Sequence, residues 1–379
     1  MEPIYLDHAA TTPLHPDVLE VMQPYYKEFF GNPSSIHSFG RAAKTAINGS
    51  RDFIAGKLGC LPNELIFTSG GTESNNMAIY GLLQTNTEKK HIITTRIEHH
   101  AVLHPCEWLE NLGIDVTYIP VDQSGLVLAD DIESAIRPDT ALISMMFGNN
   151  EVGTLQPVEE VGRIAQAHGI AFHVDAVQAL GKVDFDLAAL PVDLMSFSAH
   201  KINGPKGIGA LYISRAKRVA PVFYGGSQER KRRPGTENVA GIVGFAKAVE
   251  IIFSSDIEHR SHQLRQKMVD CLQQELGKDG FILNGHQTKC LPHIVNISFP
   301  GVGTESLLMN LDLEGIAAAS GSACTSGSLE ISHVLKAMDL PDDVTSSAIR
   351  FSFGMGNTME QIEYAAQKTA TIVNRLRKR

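Results

Sequence analysis

From about Leu65 to Ile213, short apolar runs alternate with stretches of helical pattern. ELIFT, HIITT, DVTYIP, ALISMM, AFHVD, LMSFS and GALYI read as strands, and Ser74–Leu83, Ala101–Asn111 and Val158–His168 read as helices. Continuously apolar strands between helices predict an α/β domain with a mostly parallel sheet covered on both faces. Ligands in such sheets bind beyond the carboxyl ends of the strands. Thr236–Ser254 and Asp256–Gly277 predict two long helices that lead out of this unit. HIVNISF, a helix near Ser306–Leu311, AIRFSFG and a last helix from about Met359 alternate less regularly, as in a smaller α+β domain. No linker, internal repeat or low-complexity tract divides the chain.

At 379 residues, 43% hydrophobic and 20% charged, the chain has the composition of a soluble globular protein of two domains. A net charge of -9 argues against direct nucleic-acid binding. No run of about 18 apolar residues marks a membrane span, and MEPIYLDHAATTP lacks the pattern of a signal peptide. Cys60, Cys106, Cys271, Cys290 and Cys324 lie far apart without metal-ligand spacing, which points to a reduced, cytoplasmic protein.

Two strand ends carry the strongest chemical signal. FHVDAVQ delivers Asp175 at the tip of one strand, and SFSAHKINGPKG places Ser198, His200 and Lys201 together at the tip of another. A lysine amine can form a Schiff base with a phosphorylated aldehyde, and a hydroxyl and an imidazole can bind its phosphate. A carboxylate can hold a pyridine nitrogen protonated, so the set points to pyridoxal phosphate (PLP).

Other motifs carry two readings each. TSGGTESNN follows a strand and opens a helix, so Gly70, Gly71 and Thr72 suit a phosphate, although Gly-Gly turns are common. His100 and His104 have the spacing of a metal pair but lack an HExxH glutamate and an evident third ligand. His99, just before the helix, is better placed to stack on a pyridine ring. Asn149 and Asn150 either bind a ligand or simply make a turn. Arg350 lies in an apolar strand, where its charge needs a partner such as a substrate carboxylate. ERKRR within SQERKRRPGTENV reads as a solvated face, and Gly235-Thr236 could meet an anion. Cys324, in the small-residue run ASGSACTSGSLE, contrasts with cysteines that suit a core; a thiol there can serve as a nucleophile.

Together these segments, with YLDHAATTP and FGNPSSIHSFG, resemble the NifS/IscS-type cysteine desulfurases of the class V aminotransferase group. The resemblance spans nearly the whole chain, and the loop ASGSACTSG fits the NifS/IscS branch rather than the SufS type. FSFGMGNT, with Met355, and GGSQER depart from the commonest family pattern.

The resemblance implies fold type I of the PLP enzymes, with a large domain over residues 16–256. Residues 1–15 and 257–379 would form a small α+β domain carrying the cysteine loop. It implies Lys201 as the attachment point, Asp175 at the pyridine nitrogen, Gln178 at the ring hydroxyl and His99 on the ring. Gly71, Thr72, Ser198 and His200 would hold the phosphate, with Thr236 supplied across a homodimer interface. Arg350, Asn150 and Asn32 would bind the L-cysteine carboxylate. Cys324 would take the sulfur as a persulfide, leaving L-alanine, and pass it to an acceptor protein, an iron–sulfur scaffold or a tRNA-thiolating enzyme. Cys324 could also be a transient cluster ligand, with no resident metal site. The competing readings are a selenocysteine lyase or an aminotransferase of the same fold, and a docking protein that retains PLP as a prop.

Overall fold

The computed structural model describes residues 3–86, 88–321 and 331–378. Among these, the strands are β1 (Ile4–Tyr5), β2 (Leu65–Thr68), β3 (His91–Thr95), β4 (Asp115–Ile119), β5 (Thr140–Met146) and β6 (Ala171–Asp175). They continue as β7 (Leu194–Ser198), β8 (Gly209–Ile213), β9 (Ile282–Asn284), β10 (Ile294–Ser298), β11 (Ile316–Ala317) and β12 (Ala348–Ser352). A seven-stranded sheet has the order β2-β8-β7-β6-β5-β3-β4. Its pairs from β7 through β4 are parallel, and β8 runs antiparallel to both neighbours.

Neighbouring residues of one strand enter different cores. Phe67, Ile93, Ile143 and Phe172 join one apolar cluster, while Ile66, Ile92, Leu142 and Ala171 join another. Side chains alternate across a strand, so both sheet faces are covered, and this explains why the strands read as unbroken apolar runs.

The last third of the chain builds an antiparallel sheet, β12-β10-β9, with its own core of Leu264, Met268, Val295, Ile297, Phe351 and Phe353. Ile4 and Leu6 enter that same core, and β1 pairs in parallel with β11. The N-terminal segment thus crosses to the far end of the sequence and passes over the carboxyl ends of the large sheet.

Two helix starts lie three residues from the sequence reading. The helix expected from Thr236 begins at Val239, because Asn238 caps it by accepting from the Gly241 N–H at 3.0 Å. The helix expected from Ser74 begins at Gly71, directly after the Gly70 turn. Among the described residues no helix is long and apolar enough to cross a membrane.

Candidate active site

A cavity of about 480 Å³ opens at the carboxyl ends of β5, β6 and β7, a size typical of small-molecule sites. Its lining includes Gly71, Thr72, His99, Asn150, Asp175, Gln178, Ser198, His200, Lys201 and Arg350, residues the sequence expected to act together.

Asp175 ends β6 and is fixed from two sides. Asn75 Nδ2 donates to Oδ2 at 2.6 Å, and the Val177 N–H donates to Oδ1 at 3.0 Å. Lys201 follows β7 in a short 3₁₀ turn, and its Nζ donates to the carbonyls of Ala9 and Ala10 at 2.6 and 2.8 Å. Those carbonyls come from the crossing N-terminal segment, so the amine is held between the two ends of the fold.

The groups beside them have the chemistry to hold an anion. Gly70 and Gly71 turn the chain into the helix Gly71–Leu83, whose first N–H groups and dipole favour negative charge. A Cβ on Gly71 would come within 2.6 Å of Val177 Cγ2, so glycine permits this close approach. The buried Ser198 hydroxyl has no hydrogen-bond partner among the described residues. An acceptor is missing there, and an anion would supply it. His200 Nδ1 lies 3.1 Å from Thr11 Oγ1; burial, helped by Lys201 and Lys206, pushes its pKa down to about 4, leaving a neutral donor.

His99 caps the helix His100–Glu110, its Nδ1 accepting from the Ala101 N–H at 3.0 Å. The proton of the neutral ring therefore sits on Nε2. Burial lowers its pKa, against the opposing pull of Asp175. The preceding residue, Glu98, is fully buried and accepts from Thr95 Oγ1 at 2.6 Å and the Met146 N–H at 3.0 Å. Burial raises its pKa to about 8, so it is a neutral acid near pH 7.

Arg350 is 2% exposed on β12. Its Nη2 donates to Asp7 Oδ1 at 2.7 Å and its Nη1 to the Asn150 carbonyl at 2.8 Å, while Nε has no partner among the described residues. A buried guanidinium with an uncommitted donor can take a further acceptor, such as a carboxylate.

The remaining expected residues occupy different places. Asn149 is structural, donating to the Ile97 carbonyl and accepting from the N–H groups of Glu151 and Val152, whereas Asn150 lines the cavity. His100 and His104 stack at 4.6 Å and His333 adds a third ring at 4.9 Å, an aromatic cluster at the cavity wall. No group of three metal-ligating side chains converges among the described residues. Asn32 and Thr236 are exposed and are not among the residues lining this cavity. Cys324 lies outside the described residues, while Gly321 and Ile331, the described residues on either side of it, line the cavity. Sequence reasoning missed Asp7, Glu98 and His293 as neighbours of the site. Asn75 was within its reach, because it lies one helical turn after Thr72.

The class-V aminotransferase family model matches residues 4–365. A putative cysteine desulfurase IscS 1 from Bacillus subtilis is 50% identical, covering 99% of this chain and 100% of that protein. The cysteine desulfurase IscS of Methanosarcina thermophila is 49% identical over 99% of this chain and 93% of its own. Among solved structures, a NifS-like protein superposes with a TM-score of 0.91 at 39% identity, covering 98% of this chain and 99% of the other. SspA in complex with cysteine gives 0.83 at 39% identity, over 92% and 98% of the two chains.

Proposed function

The chain belongs to the class-V aminotransferase family, and we propose that its cavity binds PLP and L-cysteine through the residues gathered there. It is a cysteine desulfurase with the fold type I architecture of the PLP enzymes. The carrying observation is the meeting, in one cavity, of Lys201, Asp175 and the Gly70–Gly71 helix start with an unpartnered Ser198 hydroxyl. That donor set fits PLP: an amine for its aldehyde, a carboxylate for its pyridine nitrogen, and a neutral anion cradle for its phosphate.

PLP, when bound, supplies an electron sink that weakens bonds at the substrate Cα. Lys201 anchors the cofactor and moves the Cα proton. Asp175, fixed by Asn75 and Val177, holds the pyridine proton. Gln178 would donate to the ring oxygen and His99 would stack on the ring; taking the thiol proton on substrate entry would require its Nδ1 to release the Ala101 N–H. Gly71, Thr72, Ser198 and His200 bind the phosphate. Arg350 binds the substrate carboxylate, with Asn150 beside it and its own carbonyl already on the guanidinium. The Cys324 thiolate attacks the substrate sulfur: an S–S bond forms, the C–S bond breaks with its electron pair left on the carbon side, a proton is added at Cβ, and L-alanine leaves. L-cysteine and the Cys324 thiol thus become L-alanine and the Cys324 persulfide, with atoms and electrons balanced.

The persulfide is passed to an acceptor protein, either an iron–sulfur scaffold or a tRNA-thiolating enzyme. The working unit is a homodimer in which Thr236 serves the phosphate site of the second copy. Its exposure away from its own cavity supports this, as do the exposed Tyr26, Phe30, Ile36 and Phe39. Borohydride reduction followed by peptide mass mapping tests the assignment: the cofactor adduct is expected on Lys201, and an adduct elsewhere would overturn it.

A further inference from the structure

The Gln178 side chain is engaged at both ends. Its Nε2 donates to the Ala9 carbonyl at 2.8 Å, and its Oε1 lies 3.3 Å from His293 Nε2. A backbone carbonyl can only accept, so the amide nitrogen faces Ala9 and the amide oxygen faces His293. His293 must then carry its proton on Nε2. One N–H of Gln178 is left over, on a residue that lines the cavity.

His293 is 2% exposed, just before β10, and its Nδ1 has no hydrogen-bond partner among the described residues. The titratable and charged groups that act on it are Lys182, His8, Lys201 and Arg350. Lys182 is itself buried, 3% exposed, and makes no ion pair among the described residues. Burial first, and then these cationic neighbours, hold His293 well below its ordinary pKa. The ring is therefore a neutral, single-tautomer donor over the working pH range.

We infer that His293 is a positioning residue, which by donating to Gln178 Oε1 directs the remaining Gln178 N–H toward the ring oxygen of the bound cofactor. The inference rests on reading the cavity as a PLP site. Without His293 the amide oxygen is left buried and unpaired, which favours rotation of Gln178 and loss of its donor to the ring oxygen. An anionic ring oxygen deprived of a donor binds protons more tightly. The cofactor's visible absorption should then change with pH at a higher midpoint.

The test is a pH titration of the visible band in purified holoenzyme. Wild type is compared with His293→Leu, Gln178→Met, the double variant and His293→Asn. Each of the first two should raise the midpoint by about one pH unit, the scale of one hydrogen bond. The double variant should rise no further, and His293→Asn, which retains a donor, should return close to wild type. A wild-type midpoint in yellow His293→Leu, or shifts that add in the double variant, would overturn this inference alone. A colourless wild type would overturn the PLP reading along with it.

Wild-type holoenzyme labelled with ¹⁵N-histidine gives a readout independent of the His293→Leu fold. The ring missing from the His293→Asn spectrum should stay in the neutral Nε2–H form between about pH 6 and 8.5. A second proton in that window, or the other tautomer, would contradict the inference.

Discussion

Arg350 Nη2 donates to Asp7 Oδ1 at 2.7 Å, a contact between residues 343 positions apart in the sequence. It ties the N-terminal segment to β12 and holds the guanidinium at the cavity wall. Removing the carboxylate leaves a buried, uncompensated cation. Asp7→Ala should therefore lower stability by about 3 kcal/mol, read from urea unfolding. A loss indistinguishable from zero would mean the guanidinium is satisfied by its carbonyl acceptors alone.

Arg350→Lys keeps the charge and loses the planar fork. The KM for L-cysteine should rise by about tenfold or more, with a smaller effect on cofactor binding. An unchanged KM would place the substrate carboxylate elsewhere.

Gly71→Ala drives a Cβ to within 2.6 Å of Val177 Cγ2, next to the anion cradle. Overpacking there should weaken cofactor binding by about tenfold. Val177→Ala in the same chain should restore much of it, because it removes the atom in the way. If the double variant binds no better than Gly71→Ala, the defect lies in the loop backbone.

Glu98 gives a pH signature with a definite sign. Its carboxyl has a pKa of about 8 in the fold against an ordinary value of 4.5, so the native state holds a proton that the unfolded chain has released. Wild type must lose stability through this group as pH rises from about 4.5 to 8. Glu98→Gln keeps the shape without that proton, so its stability relative to wild type should grow across the same window. Urea unfolding at several pH values checks it, and a flat difference would contradict a buried neutral acid.

Much of this was legible because it is local. Buried strands leave unbroken apolar runs, and Asp175 and Lys201 stand at the ends of two of them. The Gly70–Gly71 turn lies between a strand and a helix, where an anion site is expected. The contacts that hold these groups in place were not legible. Asp7 reaches Arg350, Ala9 receives both Lys201 and Gln178, and His293 meets Gln178 across 115 positions; no local pattern encodes such pairings. His100 and His104 are partly legible: helical spacing brings their rings together, but the third ring of the cluster, His333, comes from far along the chain.

The most direct measurement is alanine and sulfide release from L-cysteine with a reductant, by yellow wild-type protein beside Cys324→Ala. Turnover is expected in the first and none in the second, with the cofactor band intact in both. Equal release from the two, or a keto acid in place of alanine, would contradict it.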